Sequence, residues 1–287
     1  MACRSVCLAL STLLASCAHV APESASRTEL AVSAPAPQHP PSSAPSPEQR
    51  YWLLRDEIEA LAGKHPWAGR YYASDTDSGD EFLLAPMRGW VRIRHGVGRQ
   101  TFVGAGSIEL AEQRLRFVDD GQVPNAVPVP VLLPVRWDAR RYLLFPSGIT
   151  SFLNDVNAGR EQSKAFTQRL VCGGNTYAHG KPELPPELAK SVFEPPLVAR
   201  VVRVEPRPPI DEHVNSSVEL DVGSDDGVYV GMLLYPRLEG SASGWVSVTS
   251  VTHDTCSATC EGFTAVTPLE PGARFSSAPP ARWAETR

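Results

Sequence analysis

The side chains in this sequence that are most able to do chemistry are six cysteines and seven histidines. A thiol can carry a lipid, pair with a second thiol or bind zinc, and a histidine can bind a metal or move a proton. Three cysteines lie within the first seventeen residues, and the other three are Cys172, Cys256 and Cys260. The two groups predict different chemistry, one at the N-terminus and one in the folded part of the chain.

The N-terminus has the order of features that is typical of a secretory signal peptide. Arg4 supplies one positive charge, an apolar run extends from Val6 to Ala15, and small residues follow. This run is about half the ~20 residues that a membrane-spanning helix needs, and no later run is long enough. The pattern therefore predicts export of the chain rather than a permanent transmembrane anchor.

The segment Leu14-Ala15-Ser16-Cys17 resembles the lipobox of bacterial lipoproteins. The resemblance implies a signal peptide over residues 1–16, cleavage before Cys17 and diacylation of Cys17, and two or three acyl chains hold a protein stably on a bilayer. Ala18 occupies the position where an aspartate retains lipoproteins at the inner membrane, which implies the outer membrane. The alternative is an ordinary secreted protein that is cleaved nearby.

Residues 17–45 form the lipidated cysteine and a segment rich in alanine, proline and serine. This composition buries too little apolar surface to offset the entropy of folding, so we expect an extended tether.

The net charge of -5 and the lack of a basic stripe argue against nucleic acid as a partner. No cofactor is expected, the membrane is contacted through the lipid, and the oligomeric state stays open.

In an oxidising compartment, a pair among Cys172, Cys256 and Cys260 is expected to form a disulfide. If residues 256–260 are one extended strand, its ends lie about 13 Å apart at ~3.3 Å per residue, beyond the ~7 Å that a disulfide tolerates. We therefore expect Cys172 to pair with Cys256 or Cys260, although a tight turn at 257–259 would permit Cys256 with Cys260. A zinc site that includes His179 is a further alternative, but it lacks the close Cys-x-x-Cys spacing.

Known catalytic signatures are missing from the sequence: there is no Gly-x-Ser-x-Gly, no His-Glu-x-x-His and no phosphate-binding loop. We predict no catalytic residue and a protein that is not an enzyme.

The acidic residues Asp221, Asp225 and Asp226 lack the ligand spacing of a calcium loop, so they predict a polar turn and no metal site. Gly104-Ala105-Gly106 is interpreted as a turn between strands, because no helix follows it.

The elements that must position these residues are mainly β. A capping box at Ser46-Pro47-Glu48-Gln49 predicts a helix, and eight short strands follow between Trp67 and Phe145. We predict a mainly β (α+β) fold with a few short helices. Its parts are a helix with an antiparallel β meander at 46–148, a helical or irregular connector at 149–196, a small β-barrel module at 197–278 and a tail at 279–287.

The segment from Leu220 to Met232 is punctuated by Gly223, Gly227 and Gly231. It resembles the glycine-punctuated loop of small β-barrel modules in bacterial envelope scaffold proteins, such as the MreC cell-shape protein. The resemblance implies a barrel that serves assembly rather than chemistry. We therefore expect a membrane-tethered envelope lipoprotein that acts as a non-enzymatic protein-binding or assembly module.

A second hypothesis is that the N-terminal β domain binds a small apolar or glycan ligand. Its candidate contacts are Trp67, Tyr71, Tyr72 and Trp90, although such aromatic residues are more often part of a core. A small barrel can hold one ligand or be filled with side chains, and we favour the filled form. A hydrolase whose site is noncontiguous in sequence is the third hypothesis.

Overall fold

A computed structural model of the protein describes residues 44–75, 78–159, 169–173, 178–206, 216–237, 244–263 and 269–280. The predicted signal peptide, Cys17 and nearly all of the predicted tether lie outside the described residues. The described part contains three α-helices and fourteen β-strands. The predicted fold class, mainly β with a few short helices, is therefore confirmed.

The first element is helix α1 (Pro47–Leu61). The predicted capping box fixes its start: the Gln49 backbone N–H donates to Ser46 Oγ at 3.2 Å, and the Ser46 N–H donates to Gln49 Oε1 at 3.0 Å. The helix ends where Ala62 adopts a positive φ of 45° and donates its N–H to the Glu59 carbonyl. Both helix ends thus have partners for backbone groups that a helix leaves unpaired.

Eight antiparallel strands form the first sheet. They are β1 (Gly69–Asp75), β2 (Ser78–Ala85), β3 (Gly89–Gly96), β4 (Arg99–Ala111), β5 (Arg114–Asp119), β6 (Leu133–Trp137), β7 (Arg140–Leu144) and β8 (Arg169–Cys172). Their order in the sheet is β5-β4-β3-β2-β1-β8-β7-β6. The sheet therefore consists of two meanders that meet where β1 pairs with β8. Because β8 belongs to the sheet, residues 149–196 contribute a strand to the first domain as well as connecting it to the next.

The two outer strands of this sheet are linked to each other. The Leu115 N–H donates to the Leu132 carbonyl at 2.8 Å, and the Leu132 N–H donates back at 2.9 Å. Residues 127–131 form no strand, because Pro128 and Pro130 have no N–H to give to a ladder. The sheet therefore curls until its outer strands meet at one pair of residues.

Each face of the sheet packs on a different partner. The outer face is covered by α1, whose fully buried Leu54 packs with Leu83 and Val91, and by helix α2 (Ile149–Asn157). The inner face is packed with large side chains. The buried residues of this inner cluster are Trp67, Ala68, Tyr71, Phe82, Leu84, Trp90, Leu115, Leu132, Leu143, Leu170 and Cys172.

The predicted turn at Gly104-Ala105-Gly106 is wrong, because these residues lie inside the 13-residue strand β4. The Trp90 ring occupies the space where a side chain on Gly104 would project, and an added Cβ on Gly106 would collide with the Val118 carbonyl. The glycines therefore allow a large ring and a neighbouring strand to approach the backbone closely.

Six strands form the predicted C-terminal barrel, which is closed. They are β9 (Val198–Pro206), β10 (Ser216–Leu220), β11 (Leu233–Pro236), β12 (Trp245–Val251), β13 (Cys256–Glu261) and β14 (Arg274–Ser276). Alternating residues of these strands fill the core, and Phe263 and Phe275 make an edge-on ring contact there. Closure of the barrel pairs every strand on both sides. Helix α3 (Pro186–Ala189) lies in the chain between the sheet and the barrel.

The expected disulfide is not present, since Cys172, Cys256 and Cys260 are all free thiols. Cys172 lies in the inner cluster of the first sheet, whereas Cys256 and Cys260 lie in the barrel core. The pairing of Cys256 with Cys260 also fails, because residues 256–261 form one extended strand rather than a tight turn. The same separation excludes the zinc arrangement of these three cysteines.

The barrel thiols are expected to be inert in the folded protein. Burial raises the pKa of the Cys256 thiol to about 12 and that of the Cys260 thiol to about 11, so both stay protonated at mildly alkaline pH, and only the thiolate reacts. A thiol-reactive chromogenic disulfide should leave both unmodified in the native protein and modify both in strong denaturant without a reductant. Failure to react in denaturant would reveal a disulfide and contradict the free thiols.

Candidate functional site

The most distinctive exposed surface of the first sheet combines aromatic rings with arginines. We call it the arginine–aromatic face, and it consists of Tyr51, Trp52 and Arg55 on α1 and Arg70 and Tyr72 on β1. The side chain of Trp52 is 54% exposed and that of Tyr72 is 40% exposed. These are large rings to leave in water, and a surface that combines them with arginine is typical of binding sites.

Helix α1 presents its part of this face because its opposite side is fixed to the sheet. Leu54 is fully buried, and the largely buried Arg50 donates to the Gly106 carbonyl and, at 2.5 Å, to the Asp120 carboxylate. Trp52 follows Arg50 by two positions, so it points away from the sheet. The polar contacts of Arg50 therefore fix the rotation of α1 about its own axis, and this rotation leaves Trp52 exposed.

Each arginine of the face is stacked on an aromatic ring. The Arg55 guanidinium lies 5.0 Å from the centroid of the Trp52 ring and 5.9 Å from that of the Tyr51 ring. The Arg70 guanidinium lies 5.0 Å from the centroid of the Tyr72 ring. Such cation–π contacts stabilise the pairs and restrict the motion of two long side chains.

A buried carboxylate lies beneath the β1 part of the face. Glu81 on β2 is 1% exposed, accepts a hydrogen bond from Arg70 Nε and lies 2.7 Å from His95 Nε2 on β3. The hydrogen bond that Arg70 donates to Glu81 is the largest cause of a raised pKa for Arg70. Burial, and next the charge of Glu81, raise the pKa of Tyr72. The carboxylate thus holds Arg70 charged and in place.

Of the four aromatic residues predicted to contact a ligand, three belong to the core. Trp67, Tyr71 and Trp90 are buried in the inner cluster. Tyr71 donates its hydroxyl to the Trp67 carbonyl at 2.7 Å, and burial raises its pKa. Only Tyr72 is exposed, on the opposite face of the sheet. The four residues therefore do not form one ligand-binding surface.

The acidic residues at the start of the glycine-punctuated loop satisfy backbone groups. Asp221 accepts from the Arg200 N–H at 2.6 Å, and Asp226 accepts from the Gly223 N–H at 2.9 Å. Asp225 lies 3.3 Å from the ring of His253. Within the described ranges, no group of three or more histidine, cysteine or acidic residues is placed to hold a metal ion.

The first sheet and the barrel are joined through α2, and we call this contact the joint. Asn154 Nδ2 donates to the Gly231 carbonyl at 2.9 Å, and Asn154 Oδ1 accepts from the Leu233 N–H at 3.0 Å and from the Tyr229 hydroxyl at 2.9 Å. Asn157 makes a similar pair of bonds, donating to the Ser191 carbonyl and accepting from the Phe193 N–H. Two side-chain amides thus bind the backbone of the barrel and of the segment before it.

Two glycines of the loop have a second role at this joint. An added Cβ on Gly227 would collide with the Lys190 carbonyl, and one on Gly231 would lie 2.7 Å from Thr150 Cγ2. Both residues also adopt positive φ, 85° and 84°. Glycine is therefore needed at both positions for backbone conformation, and for the close approach of Lys190 after α3 to Gly227 and of α2 to Gly231.

Sequence reasoning missed the arginine–aromatic face. Glu81 and Tyr72 lie directly opposite each other in the β1–β2 pair, and His95 lies on the same face of β3. The available signal was the alternation of side chains along three consecutive strands. Using it required the register of both hairpins, which depends on where each turn begins.

Comparison of this chain with protein-family models, with curated proteins and with solved structures finds no match. Among the described residues, no helix is both long enough and apolar enough to cross a membrane.

Proposed function

We propose that this chain is a lipid-anchored protein of the bacterial cell envelope whose folded body binds another envelope protein. The lipobox pattern at Leu14–Cys17 supports the anchor. The observation that carries the binding function is the arginine–aromatic face. We propose an assembly role without catalysis, with Cys17 holding the body at the membrane.

The composition of the face favours a protein partner. Tryptophan, tyrosine and arginine are enriched among the residues that dominate the free energy of protein–protein binding. Covering Trp52 and Tyr72 would remove apolar surface from water, which contributes about 25 cal/mol per Å². The stacked Arg55 and Arg70 would lose less conformational entropy on binding than free arginines do.

The proposal is tested by photo-crosslinking in the cells of origin. A benzophenone amino acid replaces Trp52, and the matched control carries it at Val230, a residue of the glycine-punctuated loop whose exposure is similar, at 58%. We expect a discrete crosslinked protein from position 52 that is absent from position 230. The same experiment with Cys17→Ser should release the protein from the membrane fraction and reduce the crosslinked product.

Two outcomes would contradict the proposal. If position 52 gives no product above that of position 230, the face does not bind a protein in the cell. If the Cys17→Ser protein stays in the membrane fraction, the lipid on Cys17 is not its anchor.

A further inference from the structure

We infer that the outer edge of β5 is the docking site for an extended segment of a partner protein, which adds to the first sheet as a strand in place of residues 127–131. This edge is separate from the arginine–aromatic face, so the inference goes beyond the proposed function and does not depend on it. The paired and unpaired backbone groups at the two edges of the sheet support it.

The edge of the sheet at β6 is largely used by the protein itself. In β6 and the residue before it, every second residue directs its backbone groups away from β7. Of these residues, Leu132 exchanges two hydrogen bonds with Leu115, and the Arg136 carbonyl accepts from the Glu183 N–H at 2.7 Å. Pro134, between them, has no N–H to donate. This edge therefore offers little to another strand.

The edge at β5 is different. Since Leu115 directs its backbone groups away from β4 to reach Leu132, the same alternation directs those of Phe117 and Asp119 outward. The carbonyl of the intervening Val118 lies against the backbone of β4, in agreement with this alternation. Within the described residues, the backbone N–H and C=O groups of Phe117 and Asp119 have no hydrogen-bond partner. The edge of β5 therefore presents donors and acceptors with the spacing of a strand.

Two prolines keep the segment that follows β5 from pairing with this edge. In the antiparallel register set by Leu115 and Leu132, the next two hydrogen-bonded pairs would be Phe117 with Pro130 and Asp119 with Pro128. Each of these pairs needs an N–H from the second residue, and proline has none. The prolines thus occupy both positions at which the protein would otherwise close this part of the sheet by itself.

The segment 127–131 is held at its ends and by one side chain. At its start, the Val127 N–H donates to the Val103 carbonyl on β4 at 3.1 Å, and it ends next to the pair formed by Leu132 and Leu115. Between these points, the half-buried Val129 packs against the inner cluster, while the other residues of the segment are exposed. An incoming strand can therefore replace the segment by substituting for one half-buried side chain.

The same geometry gives the chemistry of the partner. A strand offers N–H and C=O groups at the spacing of Phe117 and Asp119, which is how peptides add to an exposed sheet edge. The partner residue opposite Phe117 would lie on the same face of the sheet as Phe117, toward the inner cluster, so it should be apolar. Its neighbours would lie on the other face, beside the exposed Arg116, so they should be polar.

The test is amide hydrogen exchange, resolved by NMR, on the purified full chain with a blocked heptapeptide of alternating threonine and valine. In the free protein, the Phe117 and Asp119 amides should exchange faster than those of Arg116 and Val118, which are directed toward β4. The peptide should slow exchange of the first two at least about fivefold, because a bonded amide exchanges only when its bond opens. The control peptide is N-methylated at each valine and should have no effect, because it lacks the N–H groups of the pairing edge.

One pair of variants isolates a single backbone donor of the edge. Asp119→Pro removes the outward N–H and should weaken binding of the peptide, measured at the Phe117 amide, about two- to tenfold, the net contribution of one backbone hydrogen bond. Asp119→Ala is the matched control: it removes the same carboxylate but keeps the N–H, so it should bind the peptide more tightly than Asp119→Pro does.

A second pair of variants tests the role of the prolines. The double variant Pro128→Val with Pro130→Val supplies both missing N–H groups, so residues 127–131 should pair with β5. Exchange at Phe117 and Asp119 should then be slow in the free protein, and the peptide should no longer bind. Pro124→Val, at an exposed proline outside the segment, is the control and should leave exchange at both amides unchanged.

Slow exchange of the Phe117 and Asp119 amides in the free unsubstituted protein would overturn the inference, because the edge would already be paired. The absence of any slowing by the first peptide, equal effects of the two peptides, or equal effects of Asp119→Pro and Asp119→Ala would do the same. Slowing that rises with protein concentration without peptide would also overturn it, because the added strand would then come from a second copy of this chain. All of these results leave the crosslink from position 52 unaffected, so the proposed function is judged separately.

Discussion

Replacing Trp90 with alanine is expected to lower the free energy of unfolding by about 3 to 5 kcal/mol, the usual range for removing a large buried aromatic side chain. Trp90 is 1% exposed and makes an edge-on contact with the Phe117 ring at 5.4 Å. Its ring also fills the space above Gly104. Since β4 has only hydrogen at that position, Gly104 offers no side chain to fill the cavity.

Urea denaturation followed by circular dichroism measures this effect, with Trp52→Ala as the matched control. The same truncation at the exposed Trp52 should lower the free energy of unfolding by no more than about 1 kcal/mol, the contribution of an exposed cation–π contact such as the one with Arg55, while it removes a ring of the arginine–aromatic face. Equal destabilisation by the two variants would contradict the placement of Trp90 in the core and of Trp52 on the surface.

The packing of Trp90 also explains why the turn predicted at Gly104-Ala105-Gly106 is wrong. Two glycines separated by one residue are typical of a turn, and the sequence between Gly104 and Gly106 carries nothing that distinguishes a turn from a strand. The deciding fact is a tertiary contact, because Trp90 on β3 and Val118 on β5 both approach the backbone of β4. Local patterns do not contain contacts of this kind.

Local sequence patterns were sufficient to predict an element where its own residues determine where it begins. The capping box at Ser46 predicted the start of α1, which begins at the next residue, Pro47. The start of β6 was not predictable in this way. Its residues include Pro134 and Arg136, and the strand forms because it pairs with β7.

The candidate site was less predictable than the fold, for a physical reason. Tyr72 could be named because aromatic residues stand out in a sequence, but whether it or its neighbour Tyr71 faces the core depends on the register of β1. The carboxylate of Glu81 was not singled out, because its role arises only when Arg70 and His95 are placed beside it. The composition of a strand does not show which of its charges becomes buried.

Replacing Asn154 with alanine is expected to weaken the joint between the first sheet and the barrel. The variant loses the bonds from Asn154 to the Gly231 carbonyl, the Leu233 N–H and the Tyr229 hydroxyl. Each of these groups that stays buried without a partner costs about 1 to 3 kcal/mol. The loss should appear as a lower free energy of unfolding and as faster amide hydrogen exchange at residues 229–233.

Tyr229→Phe is the graded control for this prediction. It removes one hydroxyl from the joint, while Asn154 keeps its bonds to Gly231 and Leu233, so a loss of about 0.5 to 1.5 kcal/mol is expected. If Asn154→Ala costs no more than Tyr229→Phe, the paired backbone contacts of the amide do not hold the barrel in place. A larger cost, with exchange increased at the joint and unchanged in β2 and β3, would show that a single amide on α2 fixes the barrel.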